Sequence, residues 1–375
     1  MIYLSVFIIS VYSILILKFY FGFDKVPEFE SQSLAERSGF SILIPFRNEV
    51  KNLPLLLQSI ERLQYPKESY EVILINDEST DNYQTIIDNF KSTNTELTIS
   101  LVNSQRKSIS PKKDAIETAI SIAKFDWIIT TDADCQVPQN WLQNFNDLIQ
   151  SEEVKMIVAP VAYMFKSRFF YHFQNLDFLS LQGTTIGSFG IQKPFMCNGA
   201  NLCYNKKTFI DVDGFKGNNH IASGDDVFLM EKMIKHYPDG VKYLKSEESI
   251  VKTSPQQNFR QLLNQRVRWA AKAAYTQNTF GKLVGLIVFS VNLYLILLLI
   301  PAFLHRISWQ HMGLIYLVKL NIDFLLLYKT ATFFKQQESM KIYLYSSFLY
   351  PFFSVYVALV SFFRNFSWKG REFRK

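Results

Sequence analysis

Apolar and polar positions divide the chain into three zones. At its start, Ile2 to Leu17 is an uncharged apolar run, followed by Lys18 and an aromatic stretch to Phe23. Near its end, Leu283 to Leu304 and Ile342 to Phe363 carry no charge. Each is long enough for a hydrocarbon core of about 30 Å. Between those two, Met312 to Phe334 is apolar but holds Lys319, Asp323 and Lys329. Lys319 and Asp323 are four apart, share a helix face and can pair inside a bundle. The segment is therefore expected as a span, with an interfacial hairpin as the alternative.

The middle zone alternates short apolar runs with helical spacing. Phe40 to Pro45 reads as a buried strand ended by proline, and Asn52 to Leu63 as a helix with Pro54 tolerated in its first turn. Val72 to Ile75 is a second buried strand, followed by the polar turn Asn76-Asp77-Glu78-Ser79-Thr80-Asp81. Leu97 to Val102 is a third strand, Lys112 to Ala123 a helix and Trp127 to Thr130 a fourth strand. Residues 24–38 are polar and read as a linker. Strands alternating with helices predict an α/β fold with βαβ units around a mainly parallel sheet. In such sheets ligands bind at the carboxyl ends of the strands, which is where the acidic residues fall.

Composition agrees with a soluble body plus a few spans. The 375 residues are 48% hydrophobic and 19% charged, against about 25% charged in a soluble domain. With 34 Phe, 14 Gly and 3 Cys, the chain is not disordered, collagen-like or a disulfide scaffold. Cys135, Cys197 and Cys203 form no C-x-x-C pair and no His cluster has metal-site spacing, which argues against zinc and for a reducing compartment. The net charge of +7 comes from dispersed Lys and Arg with no nucleic-acid motif, so a membrane flank accounts for it and no nucleic-acid partner is expected. The first apolar run has its basic residue after it and no cleavage site, so it is expected as an uncleaved anchor with the body on the cytoplasmic side. Three further spans would then put the basic tail Trp368 to Lys375 outside, against the positive-inside rule. On this reading either the middle segment or the first one does not cross.

Four constellations bear chemistry, and each reads two ways. Asp132-Ala133-Asp134, directly after the fourth strand, is either a helix-capping turn or a pair of carboxylates for Mg²⁺ or Mn²⁺, completed by substrate phosphates and water. Asp77, at a strand end, is placed to accept hydrogen bonds from a nucleotide base or ribose, more than to make an Asx-turn or helix cap; for Asp81 nearby the two readings are equal. Lys112 and Lys113 open a helix, where the dipole disfavours cations, so they point to an anion such as a diphosphate or to a solvated face. In Ser223-Gly224-Asp225-Asp226, the carboxylates precede an amphipathic helix as caps or as a general base for an acceptor hydroxyl. Gln265-Arg266-Val267-Arg268-Trp269 is either an interfacial anchor or a lid, with Arg268 for a leaving diphosphate and Trp269 as a wall for a sugar ring.

In this order, the motifs resemble a membrane-anchored glycosyltransferase of family 2. The resemblance runs from Pro45-Phe46-Arg47-Asn48-Glu49 through the Asp77, Asp132-Ala133-Asp134 and Gly224-Asp225-Asp226 motifs to Gln-Arg-x-Arg-Trp. Asn198-Gly199-Ala200-Asn201 resembles the family's acceptor-side glycine segment, and Trp368-Lys369-Gly370-Arg371 the ending of ceramide-glucosyltransferase-like bacterial members. The resemblance implies a GT-A nucleotide-sugar domain over 39–260, an interfacial segment over 261–282, spans over 283–363 and a basic tail over 364–375. It implies that Asp77, Lys112, Asp132 and Arg268 bind a UDP-sugar, and that Asp134 with Asp132 holds the metal. Gln265, Arg266 and Trp269 would form the acceptor lid. The third motif reads Gly-Asp-Asp where cellulose-synthase-like members read Thr-Glu-Asp, and register selects Asp226 over Asp225 as the base. The expected reaction is inverting transfer to a lipid-linked or nascent-glycan acceptor at the cytoplasmic face of the inner membrane. The alternatives are a processive polysaccharide synthase and a non-catalytic membrane scaffold.

Overall fold

The computed structural model describes residues 2–272, 275–363, 366–369 and 371–373. Of the basic tail, Arg364, Asn365, Gly370, Arg374 and Lys375 lie outside the described residues. The chain opens with α1 (Ile2–Lys25), then builds β1 (Phe40–Phe46), α2 (Leu53–Glu61), β2 (Tyr70–Asn76), α3 (Tyr83–Thr93), β3 (Thr98–Asn103), α4 (Pro111–Ile122) and β4 (Trp127–Thr130). Next come β5 (Cys135–Gln136), α5 (Trp141–Ser151), β6 (Met156–Val158), β7 (Val161–Tyr163), α6 (Phe169–Gly190), β8 (Leu202–Asn205), α7 (Lys206–Asp211) and α8 (Asp225–His236). The chain continues through β9 (Val241–Tyr243), β10 (Val251–Thr253), α9 (Phe259–Ala271), α10 (Thr279–Phe303), α11 (Trp309–Phe333) and α12 (Tyr343–Phe363), and turns back in β11 (Phe366–Trp368) and β12 (Arg371–Phe373).

The main sheet has the order β3-β2-β1-β4-β8-β6-β9. Its first four strands are mutually parallel, β8 is antiparallel to both β4 and β6, and β9 is parallel to β6. β1 and β2 are apolar runs because both their faces are covered. Phe40, Ile42, Ile44, Val72 and Leu74 face one core with α2 and α5, while Leu43, Ile73 and Ile75 face the other with α4 and α8. β3 is the edge strand, only partly buried, and its sequence alternates accordingly. A small second sheet, β5-β10-β7, lies beyond the end of β4. The linker is irregular, as expected, yet it is pinned: Asp147 on α5 accepts from Ser31 Oγ at 2.6 Å and from the amides of Gln32 and Ser33 at 2.9 Å.

Among the described residues, four helices are long and apolar enough to cross a membrane: α1, α10, α11 and the stretch ending in α12. α1 packs on α6 at near backbone contact, where a Cβ on Gly187 would meet the Phe19 backbone and one on Gly190 the carbonyl of Gly22. The expected pair on α11 forms, Lys319 Nζ to Asp323 Oδ2 at 2.6 Å, and Tyr12 of α1 donates to the same carboxylate. Ser5 near the start of α1 bonds Tyr294 of α10 and His311 at the start of α11. At the opposite end, Lys329 of α11 pairs with Asp24 of α1 at 2.6 Å, and Phe23, Phe333 and Phe334 join the core of the α/β body. So α1 and α11 run towards the body and α10 runs away from it. α12 behaves differently, because both its ends touch the body. Before it, Ser339 accepts from Asn175 of α6 at 2.8 Å; after it, Arg371 reaches Asp77 at the end of β2.

Candidate active site

Moving outward from β1, strands 2 and 3 build one way and β4 the other, which makes the carboxyl ends of β1 and β4 a topological switch point. The loop after β4 delivers Asp132 and Asp134 there, and the turn after β2 delivers Asp77. Lys112 comes from the first turn of α4, Asp225 and Asp226 from the first turn of α8, and Arg268 from α9. All of these side chains line one cavity of about 1390 Å³, which continues between α6 and α9 to α10, α11 and α12.

The charges interlock. Lys112 Nζ bridges Asp132 at 2.7 Å and Asp225 at 3.1 Å. Burial works against its charge, but Asp132 and then Asp225 outweigh it and hold the ammonium above the usual lysine range. Asp226 Oδ1 accepts from Lys272 Nζ at 3.0 Å and the Val227 amide at 2.8 Å, while Oδ2 accepts from the Gly199 amide at 3.2 Å. Burial opposes its ionisation too, yet Lys272 and then Lys112 hold it down at about 2. Asp134 goes the other way: burial and then the Asp132 carboxylate push it up to about 6. Gly199 packs closely against the cluster: a Cβ there would lie 3.0 Å from Asp225 Oδ2 and 3.2 Å from Lys112 Nζ, so either side chain would have to give way.

The two arginines of the Gln-Arg-Val-Arg-Trp stretch take different positions. Arg266 is buried against Asp177 of α6, donates to Gln265 and lies over the Trp269 ring at 4.3 Å. Its guanidinium thus positions Gln265 and Trp269 and is itself spent on Asp177 rather than on the aspartate cluster. Arg268 has no hydrogen-bond or ion-pair partner among the described residues, although it lines the cavity. Burial lowers its pKa, and Asp132, Asp225, Asp226 and Asp134 all act on it in the opposite sense. A half-buried cation facing carboxylates without bonding any of them suits an anion arriving from solution.

Asp77 is engaged as well: Arg106 Nη2 meets Oδ1 and Arg371 Nη1 meets Oδ2, both at 2.7 Å. Asp81 accepts from the Val50 amide at 2.8 Å, a bond to a distant loop rather than a local turn or helix cap. Lys113 is not in the cluster; it is buried and donates to the carbonyls of Asn218 and Ile221, fixing the loop before α8. Sequence reasoning passed over Lys272, Arg106 and Asp177. Among the described residues no group of three or more His, Cys, Asp or Glu side chains is arranged to hold a metal by itself.

Comparison with known proteins follows the same lines. Residues 41–215 match the model of the glycosyl transferase family 2. Glycosyltransferase AglE of Haloferax volcanii is 24% identical over 228 residues, covering 61% of this chain and 70% of its own. A probable glycosyltransferase of Sulfolobus acidocaldarius is 29% identical over 119 residues, covering 32% of this chain and 25% of its own. Among solved structures, the mannosyltransferase PcManGT from Pyrobaculum calidifontis, in complex with GDP-mannose and Mn²⁺, superposes with a TM-score of 0.57 at 14% identity, over 97% of this chain and 99% of that one. That likeness establishes the fold, a GT-A-like α/β arrangement with a mostly parallel sheet. Residues 41–215 are a glycosyl transferase family 2 domain, and the chain is a glycosyltransferase built around it.

Proposed function

We propose that this enzyme transfers a sugar, with inversion, from a UDP-sugar to a lipid-linked or nascent-glycan acceptor at the cytoplasmic face of the cell membrane. The observation behind the reading is the continuity of one cavity from the aspartate cluster to the apolar helices α10, α11 and α12. A water-soluble donor and a membrane-held acceptor need such a shared space. In this arrangement α1, α10 and α11 cross the bilayer, and α12 lies along its surface with both ends at the catalytic body. That gives an odd number of crossings and keeps the basic tail on the cytoplasmic side, in agreement with the positive-inside rule. The last apolar segment, rather than the first or the middle one, is then the one that does not cross.

Asp132 and Asp134 fit a hard divalent ion, Mg²⁺ or Mn²⁺. They are two carboxylates, and burial and then the repulsion of Asp132 raise Asp134; such ions take one or two carboxylates plus phosphate oxygens and water. The GDP-mannose and Mn²⁺ bound by the mannosyltransferase of like fold support a nucleotide sugar and a divalent ion here. When bound, the ion supplies charge neutralisation on the diphosphate. Arg268 adds the second positive charge against the leaving group, from a site where no carboxylate already consumes it.

Asp226 is the general base. An acceptor oxygen attacks the anomeric carbon, its proton passes to Asp226, and the bond from that carbon to the diphosphate breaks. One displacement inverts the centre and needs no enzyme nucleophile, unlike the two-carboxylate scheme of retaining hydrolases. Because Lys272 holds Asp226 at about 2, the carboxylate is always ionised but weakly basic, so proton transfer requires Lys272 to leave Oδ1 as the acceptor docks. Gln265 and Trp269, held by Arg266, wall the acceptor side.

The test uses membranes containing the protein, a panel of UDP- and GDP-sugars with Mn²⁺ or Mg²⁺, and nucleotide release as readout, with Asp226→Asn as control. Release with one donor that disappears in the variant is expected. A folded protein that binds no nucleotide and releases none from any donor overturns the reading.

A further inference from the structure

The chain after α12 returns to the donor end of the cavity. In the β11–β12 hairpin, Trp368 pairs with Arg371 across the turn, which brings two cations to the ends of β1 and β2. Arg371 Nη1 donates to Asp77 Oδ2 at 2.7 Å and its Nη2 to Glu78. Lys369 donates to the Glu49 carboxylate and, at 3.1 Å, to the Arg47 carbonyl, and its side chain lines the cavity. Both side chains are mostly covered, Lys369 26% and Arg371 20% exposed. Burial, then the neighbouring Arg47, lower Lys369 to about 8. With Arg106 and Arg47, four cations surround the three carboxylates Glu49, Asp77 and Glu78.

These ion pairs do not by themselves account for an ordered strand pair. Partly exposed ion pairs contribute about 0–1 kcal/mol each, whereas ordering each backbone residue costs about 1–2 kcal/mol. A ligand bound under the hairpin tips that balance, and by linkage it is bound more tightly in return. Asp77 still has acceptor capacity, since a carboxylate offers about four lone-pair sites. A guanidinium held edge-on by two carboxylates presents its planar faces, which stack on aromatic rings such as a nucleobase. Lys369, as a compact charge, suits phosphate oxygens.

We propose that the β11–β12 hairpin is a flap over the donor site and that Lys369 and Arg371 are donor-binding residues for a nucleoside diphosphate. The inference rests on the nucleotide-sugar reading of the cavity. It assigns to the tail the closing wall of the base and diphosphate pocket, opposite Asp77 and Lys112.

The experiment measures UDP and GDP affinity by calorimetry, together with donor and acceptor KM, on the full chain in detergent or nanodiscs. Arg371→Ala and Lys369→Ala should each weaken nucleotide binding about tenfold or more and raise donor KM by the same factor, with acceptor KM unchanged. Arg371→Lys should recover only part of the loss, because it keeps the charge but not the planar fork. A chain lacking residues 364–375 should match or exceed the Arg371→Ala loss, and size-exclusion behaviour reports whether each variant folds. Nucleotide affinity within twofold of wild type, or tighter, in the folded Arg371→Lys and truncated proteins overturns the flap. Wild-type protein that is folded yet binds neither nucleotide overturns the donor reading as well, so the two failures are told apart.

Discussion

Arg266 and Arg268 stand two residues apart on α9, so they project from different sides of the helix, and replacing each by methionine separates holding the site from running it. Arg266 and its partner Asp177 are only 5% and 6% exposed, so Arg266→Met strands a carboxylate in the interior. Removing one member of a buried pair costs about 3–5 kcal/mol. The Trp269 ring, 4.3 Å from that guanidinium, loses its support at the same time. Thermal unfolding of the detergent-solubilised variant should therefore show a loss in that range. The double variant Arg266→Met/Asp177→Leu should recover most of it, because replacing both partners of a buried pair by apolar groups is often neutral. Arg268→Met breaks no hydrogen bond or ion pair among the described residues, so stability should move by less than about 1 kcal/mol. Its cost falls on turnover, by a factor of about 10²–10³ if it stabilises the leaving diphosphate. An Arg266→Met protein that melts like wild type, or a double variant no better than the single, refutes the positioning role. Turnover of Arg268→Met within a few-fold of wild type refutes the diphosphate role.

Further perturbations follow from the aspartates and from one glycine. Asp134 is raised to about 6 from an ordinary 3.8 by burial and then Asp132, so the folded metal-free protein holds that proton more tightly than the unfolded chain. Relative to Asp134→Asn, wild-type melting temperature should rise as pH falls from about 6 to 4, and a flat difference across that window would contradict the assignment. Asp226 is held at about 2 chiefly by Lys272 against burial, so Lys272→Met should raise it and move the acid limb of kcat/KM to higher pH; an unmoved limb removes Asp226 as the base. Gly199→Ala sets a methyl 3.0 Å from Asp225 Oδ2 and 3.2 Å from Lys112 Nζ. Overpacking of about 1–3 kcal/mol and a drop in kcat of about 10²-fold are expected, measured by unfolding and nucleotide release, and unchanged turnover would mean that this close approach has no catalytic consequence.

The parts of the fold legible in the sequence are those whose environment imposes a pattern. β1 and β2 are buried on both faces and read as apolar runs, and β4 spans the residues expected of it, Trp127–Thr130. Their carboxyl ends are fixed once the strands are found, which is why Asp77, Asp132 and Asp134 stand out before any coordinates. β5 to β10 are two to four residues long, too short for periodicity to register, and α6 escapes because Gln174, Asn175, Asp177 and Gln182 are buried in it. Polar residues buried on a long helix erase the apolar stripe that would announce it. Partners set by tertiary structure are equally silent: Arg266 faces Asp177, 89 residues away, and Asp226 faces Lys272, 46 away.

The apolar segments show where hydropathy stops. α12 exposes Tyr345, Phe348, Leu349, Phe352, Tyr356, Leu359 and Phe363, while Phe353 and Val357 on another side pack with Phe173 and Leu262. α12 is thus apolar nearly all round, and by composition it matches a helix that crosses. What separates the two is the position of the ends. Ser339 is tied to α6 before α12, and Arg371 is tied to Asp77 after it, 294 residues away in sequence. A crossing helix of 21 residues would hold those two points about 30 Å apart across the bilayer, on opposite sides of it. Both points lie on one α/β body, so the contact of Arg371 with Asp77 also bears on which helices cross. Disrupting the hairpin with Arg371→Ala should therefore leave the helices inserted while weakening nucleotide binding, since insertion depends on the apolar faces and the flap on the charges.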